Sequence, residues 1–370
     1  MNEPFEAAKA EFFAGLARQQ AGDFAEAERR YRASLALVPG RASTLINLAA
    51  VQLRQSRPHD ALASADAALA VERDSSDALL HRATALAQLG RAEDALTSFR
   101  RLLALDPHHA AAWSSLGTLL RETGHLDEAA QAFREALRHG ADPALHEFYL
   151  ASVEARAVAT PPRAYVAGLF DDYADDFDAH VVGALRYQGH RRLVERLVAL
   201  GDGRYESALD LGCGTGLCGP LLRPLAHRLT GIDLSERMLA KARALGVYDR
   251  LAHADIVEFL TTADERFDLV VAADVFIYVG DLAPTFARLQ AAMARGVFCF
   301  SVEALADDDG ADLRLLPSLR YAHSPAYLQR LAAAHGFATI AIERDTVRED
   351  QGEAIEGRYV YLRRVVDAIG

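Results

Sequence analysis

The densest chemistry lies in Ala208-Leu209-Asp210-Leu211-Gly212-Cys213-Gly214-Thr215-Gly216, an apolar run that ends in alternating glycines. Glycine lacks a Cβ, so the chain can turn tightly there and bring its backbone against a ligand. A dinucleotide fingerprint places its third glycine one position later, where this chain has Leu217. Asp210, just ahead of the glycines, would repel a pyrophosphate and attract a ligand carrying a cationic amino group. Two more acids follow at expected strand ends, Asp233 in Gly231-Ile232-Asp233-Leu234-Ser235 and Asp255 in Ala254-Asp255-Ile256. A carboxylate at the place of Asp233 can accept both hydroxyls of a ribose, and a charge-assisted hydrogen bond of that kind contributes roughly 1.5–3 kcal/mol. Asp255 can take an adenine amino group with Ile256 against the ring, while Cys213, Leu234 and Met238 complete the expected contacts. Asp255 as a helix cap and Met238 as plain core are the structural alternatives.

These residues need a parallel sheet to hold them. Short β-rich runs alternate with helical stretches after Arg163, which predicts a sheet covered on both faces. The expected strands are 207–211, 228–233, 251–255, 267–273, 296–302, 339–344 and 358–364. Ahead of them, Thr160-Pro161-Pro162 marks a boundary, because the residue before a proline avoids helix.

Taken together, the glycines and the three acids resemble motifs I, post-I and II of class I S-adenosylmethionine-dependent methyltransferases, over roughly Arg163 to the C-terminus. The resemblance implies a Rossmann-like seven-stranded sheet ending in a hairpin, with S-adenosylmethionine as cofactor. The ligand contacts are then Asp210, Gly212, Cys213, Gly214, Gly216, Asp233, Leu234, Met238, Asp255, Ile256 and Asp274. The segment Phe170-Asp171-Asp172-Tyr173-Ala174-Asp175-Asp176-Phe177-Asp178 is similar to the entry helices of small-molecule methyltransferases, where Tyr173 and Phe177 would cover the methionine end. The spacing i, i+3, i+7 of Phe170, Tyr173 and Phe177 is equally what packing on a sheet requires.

Methyl transfer is an in-line displacement, in which positioning can be worth about 7–11 kcal/mol and a base is needed only when the acceptor must lose a proton. The fourth strand leads into Asp274-Val275-Phe276-Ile277-Tyr278, without the Asn/Asp/Ser-Pro-Pro-aromatic tetrad of DNA base methylation. Asp274 and Tyr278 are expected at the cleft. Downstream, Arg320-Tyr321-Ala322-His323-Ser324 resembles an element of the bacterial family of TPR-containing methyltransferases. His323 is the leading candidate for a general base or acceptor-orienting group. Ser324 before Pro325 is also a plain helix N-cap, and His323 beside it could be structural.

The first half repeats about every 34 residues, the tetratricopeptide (TPR) period. Its fourth copy carries Trp113, Leu116, Gly117, Gly124, Ala129, Phe133 and Ala136, with Pro143 following; the third carries Ala83, Gly90, Ala95, Phe99 and Pro107. Gly15, Gly22, Ala27, Tyr31 and Pro39 mark the first copy, and Leu45, Leu48, Ala49, Ala61 and Ala68 the second. Gly or Ala at each helix crossing lets backbones approach, an aromatic fills the gap, and Pro ends the second helix. Such hairpins must stack into a solenoid with a concave groove open to a protein or peptide partner. The expected layout is an all-α TPR solenoid over residues 1–155, a linker and helical lid over 156–205, and the α/β methyltransferase domain over 206–370. A rival reading is a TPR adaptor whose second domain is catalytically silent.

The net charge of −12 disfavours partners recognised through phosphates, DNA included. Cys213, Cys218 and Cys299 form no C-x-x-C pair and cannot all be joined, so a reducing compartment is expected, with the cytoplasm as the default; no metal ligands are expected. No run of 18 apolar residues or basic-then-apolar leader is present.

Overall fold

The structure is a computed structural model that describes residues 3–156, 158–173, 187–201, 203–306, 310–350 and 353–365. The chain divides into two compact units, Met1–Glu154 and Ala155–Gly370.

The first unit is helical throughout. Four helix pairs, α1 (Glu3–Gln20) with α2 (Phe24–Leu37), α3 (Ala42–Arg54) with α4 (Pro58–Val71), α5 (Ser76–Gln88) with α6 (Ala92–Leu105), and α7 (Ala110–Glu122) with α8 (Leu126–Arg138), precede α9 (Pro143–Val153). The anchor glycines make close approach possible: a Cβ on Gly117 would lie 2.6 Å from Phe133, and one on Gly15 would lie 2.7 Å from Tyr31. Both aromatics are fully buried. Val38 and Asp106, ahead of Pro39 and Pro107, have turned away from helical geometry where α2 and α6 end. Pro143 departs from the expectation that it closes the fourth pair. It opens α9 in the first turn behind Asp142, whose carboxylate accepts from the Leu145 N–H at 2.7 Å.

The turn inside each pair needs a left-handed residue, supplied by Gly22, Gly90 and Gly124 at φ of 79°, 72° and 81°. The second pair has Ser56 there, at φ 57°. A left-handed L-residue costs roughly 1–2 kcal/mol, and glycine gives back about 0.5–1 kcal/mol through its freer unfolded chain. Ser56→Gly is therefore expected to raise stability by about 0.5–1 kcal/mol, read as a higher denaturant midpoint.

The second unit begins with α10 (Arg163–Tyr173) and α11 (Gly189–Leu200). Next come β1 (Tyr205–Leu211), α12 (Gly219–Leu222), β2 (Ala226–Asp233), α13 (Glu236–Ala244), β3 (Arg250–His253), α14 (Ile256–Thr262) and β4 (Leu269–Ala272). The chain ends with α15 (Ala283–Ala292), β5 (Val297–Ala304), β6 (Leu313–Leu315), β7 (Tyr321–His323), α16 (Pro325–Ala334), β8 (Phe337–Asp350) and β9 (Glu353–Arg364). Parallel strands run β3-β2-β1-β4-β5, β9 joins β5 antiparallel, and β8 pairs with β9. Strand β4 shows why both faces are covered. Val270 and Ala272 enter a core with Phe276, Phe286, Phe298 and Phe300, while Leu269 and Val271 enter another with Leu193, Leu197, Tyr359 and Tyr361.

All seven expected strands are present, and the described residues hold two more, so the sheet has nine strands. β7 pairs with Glu303 and Ala304 of β5, beyond the point where β4 pairing stops at Phe300. Because β9 occupies the other edge of β5 as far as Glu303, the β6–β7 hairpin continues the edge that β4 leaves. Strands of three residues are too short to show alternation in sequence.

Candidate functional site

Chain order reverses between β1 and β4, and in open α/β sheets ligands bind outside the strand ends at such a point. A cavity of about 590 Å³ lies there, lined by residues of the second unit, within the about 300–1,000 Å³ range of small-molecule sites. Its walls bring together Asp210, Gly212, Cys213, Gly214, Asp233, Leu234, Met238, Asp255, Ile256, Asp274 and Tyr278. Gly216 and His323 are not among the lining residues. Phe177 and the Tyr173 side chain lie outside the described residues.

The glycine turn is stitched to the end of β2. The Cys213 N–H donates to the Ile232 carbonyl at 2.8 Å, and the Gly214 N–H donates to Asp233 Oδ2 at 2.9 Å. Gly212 has φ 62°, and a Cβ on it would meet Val275 at 2.7 Å. Gly214 has φ 55°, and a Cβ on it would meet no atom of the described residues within 4 Å. Gly216 serves packing, since its bare Cα makes room for Leu245 and Tyr248.

Asp233 also takes the Ser235 N–H on Oδ1 at 2.8 Å. Each carboxylate oxygen has two acceptor sites, so one remains on each for a ligand. Burial pushes its carboxyl up, and the backbone donors of Ser235 and Gly214 pull the other way.

Asp210 is buried, and Tyr248 donates its hydroxyl to Asp210 Oδ2 at 2.7 Å. Burial pushes the Asp210 carboxyl up to about 7, the Tyr248 hydrogen bond opposing and Asp233 adding to the shift. Sequence reasoning missed Tyr248. Its ring packs over Gly216, Gly219 and Gly231, whose spacing was the available signal.

Asp255 follows β3 instead of ending it. Its Oδ1 caps α14, accepting from Val257 N–H at 2.8 Å and Glu258 N–H at 3.1 Å, while the residue still lines the cavity. Met238 is fully buried and belongs to both core and cavity wall. From the entry segment, Phe170 lines the cavity and stands edge-on to Tyr278, centroids 5.0 Å apart at 83°. Asp171 ties α10 to α13, accepting from the Ser235 hydroxyl at 2.5 Å.

Asp274 sits at φ 59°, its N–H donating to Ser301 Oγ at 2.9 Å and its carboxylate accepting from Arg348 at 3.2 Å. Arg348 also pairs with buried Glu303. Arg320, quoted from the sequence only as part of the element around His323, and Arg348, not singled out there, both line the cavity, as do Tyr187 and His190.

His323 belongs elsewhere. It is fully buried on β7, its Nε2–H donates to the Gly280 carbonyl at 2.8 Å, and its ring stacks on Tyr327. Burial pushes its pKa down to about 4, against hydrogen bonds at Gly280 and Val279 that raise it. An unfolded imidazole titrates near 6.5, so between these values the unfolded chain binds the extra proton. The resulting stability is present above pH 6.5 and lost as pH falls toward 4. The wild-type advantage over His323→Gln in unfolding free energy is expected to shrink by about 3 kcal/mol over that window, measured by denaturant titration at each pH. Asp210 contributes with opposite sign, stability being lost as pH rises through about 7, and it cancels in this difference.

All three cysteines are buried and unpaired. No helix among the described residues is long and apolar enough to cross a membrane.

The chain is similar to known proteins in both units. Residues 209–300 match a methyltransferase domain family, and residues 14–78, 46–107 and 80–146 match a tetratricopeptide repeat family. Nodulation protein S of Bradyrhizobium diazoefficiens is 35% identical over 92 residues, covering 24% of this chain and 43% of that protein. The malonyl-[acyl-carrier protein] O-methyltransferase of Pseudescherichia vulneris is 33% identical over 132 residues, covering 35% of this chain and 50% of that protein. The chain thus spans about half the length of these curated relatives or less. Among solved structures, magnesium protoporphyrin IX methyltransferase from Synechocystis with bound S-adenosylhomocysteine matches at 19% identity and a TM-score of 0.43, covering 55% of this chain and 99% of that one. The chain joins a class I methyltransferase fold to an N-terminal tetratricopeptide array.

Proposed function

We propose that the second unit transfers a methyl group from S-adenosylmethionine to an acceptor, and that the repeat array binds that acceptor or a protein partner. The observation that carries this reading is the convergence of buried Asp210, the Gly212–Gly214 turn and Asp233 on one cavity at the β1–β4 switch point. The donor set fits the group. Asp210 suits a cationic amino group, the two remaining acceptor sites of Asp233 suit the ribose hydroxyls, and Leu234, Met238 and Ile256 flank a place for adenine.

S-adenosylmethionine supplies an electrophilic methyl group when bound. The contribution of the chain is orientation and exclusion of water. Asp274 and Tyr278, on the β4 side of the same cavity, are the residues for the acceptor side. His323 is assigned to holding β7 against Gly280.

Calorimetry with S-adenosylhomocysteine tests the reading. One site of micromolar affinity is expected, and no heat with millimolar ligand would overturn it.

A further inference from the structure

The cavity is acidic on one side of the switch point and basic on the other. Asp210, Asp233 and Asp255 stand at or just past the ends of β1, β2 and β3. Arg320 directly precedes β7, and Arg348 lies near the end of β8, both on the β5 side. With neighbouring strands about 4.8 Å apart, the two sets are separated across the sheet.

A β-bulge puts Arg348 there. The register of β8 on β9 shifts between Thr346 and Arg348, a device that re-aims a side chain. Buried Arg348 donates through its two Nη groups to Asp274 and Glu303, and its Nε–H has no acceptor among the described residues. Tyr187, buried on the same cavity wall, has a hydroxyl without a partner among the described residues. Tyr187, Asp274 and Arg348 all line this one cavity, so both orphan donors belong to its wall. Each unpaired buried donor costs about 1–3 kcal/mol, so the pair needs an explanation.

We infer that this end of the cavity recognises a carboxylate on the methyl acceptor, its oxygens accepting from the Arg348 Nε–H and the Tyr187 hydroxyl, with Arg320 adding positive charge. The identification of the ligand as the acceptor rests on the methyl-transfer reading above. Burial pushes the Glu303 carboxyl up against the pull of Arg348 and Arg320. A phosphate dianion would add a second charge beside Asp274, which favours the carboxylate.

The test uses the full chain saturated with S-adenosylhomocysteine and titrated calorimetrically with hexanoate, its neutral amide hexanamide, and hexyl phosphate. Hexanoate is expected to bind at least about 10-fold tighter than hexanamide, and Tyr187→Phe to erase about 10-fold of that ratio. Equal binding of the amide, tighter binding of the phosphate, no binding of hexanoate, or an unchanged ratio in Tyr187→Phe would each overturn the inference. Tyr187→Phe is preferred to Arg348→Gln, which strips buried Glu303 of its partner and can unfold the unit. The same titrations without S-adenosylhomocysteine still read the carboxylate preference, so this inference and the cofactor reading fail separately.

Discussion

Asp233→Ala is expected to weaken S-adenosylhomocysteine binding by about 100-fold or more. The carboxylate would make two charge-assisted hydrogen bonds to the ribose, each contributing roughly 1.5–3 kcal/mol, and about 3 kcal/mol corresponds to two decades in affinity. The substitution also releases the Gly214 and Ser235 N–H groups, which fixes part of the effect in the shape of the glycine turn. Asp233→Asn is expected to do little better. An amide presents one acceptor and one donor group, so its NH2 would confront either the Gly214 or the Ser235 N–H. Calorimetric titration of both variants checks this, and a loss below 3-fold in Asp233→Ala would contradict it.

The second large effect is at Gly214. Gly214→Leu is expected to abolish S-adenosylhomocysteine binding while lowering stability by only about 1–2 kcal/mol, the cost of a left-handed residue other than glycine. A Cβ there meets no atom of the described residues within 4 Å, and the residue lines the cavity, so a larger side chain grows into ligand space. Gly212→Leu should behave differently, because its Cβ would press on Val275 at 2.7 Å and the damage falls on folding. Unfolding midpoints and calorimetry on the two variants separate these outcomes; a Gly214→Leu protein that binds normally would show that the turn faces no ligand.

The glycine turn, Asp210 and Asp233 were legible because their constraints are local: a left-handed turn straight after an apolar strand, and an acid on the last residue of the next strand. The repeat array was legible for the same reason, its Gly–aromatic contacts recurring within one pair of helices. Asp255 was less so. β3 stops at His253, and the acid turns one oxygen to capping α14.

What stayed hidden depends on long-range packing. His323 has the residue type of a base, but the β6–β7 hairpin that buries it consists of two three-residue strands without readable alternation. Tyr248 comes from the loop between α13 and β3, and it reaches Asp210 only because three glycines from separate elements leave room for its ring. Arg348 is brought to the cavity by a bulge late in β8, in a stretch where the expected strand had already ended at residue 344.

The most direct measurement is a crystal structure of the full chain with S-adenosylhomocysteine. The account predicts ribose hydroxyls within about 3 Å of Asp233, the amino group beside Asp210, and adenine against Ile256. A nucleoside bound away from the β1–β4 switch point, with Asp233 touching only the backbone, would contradict it.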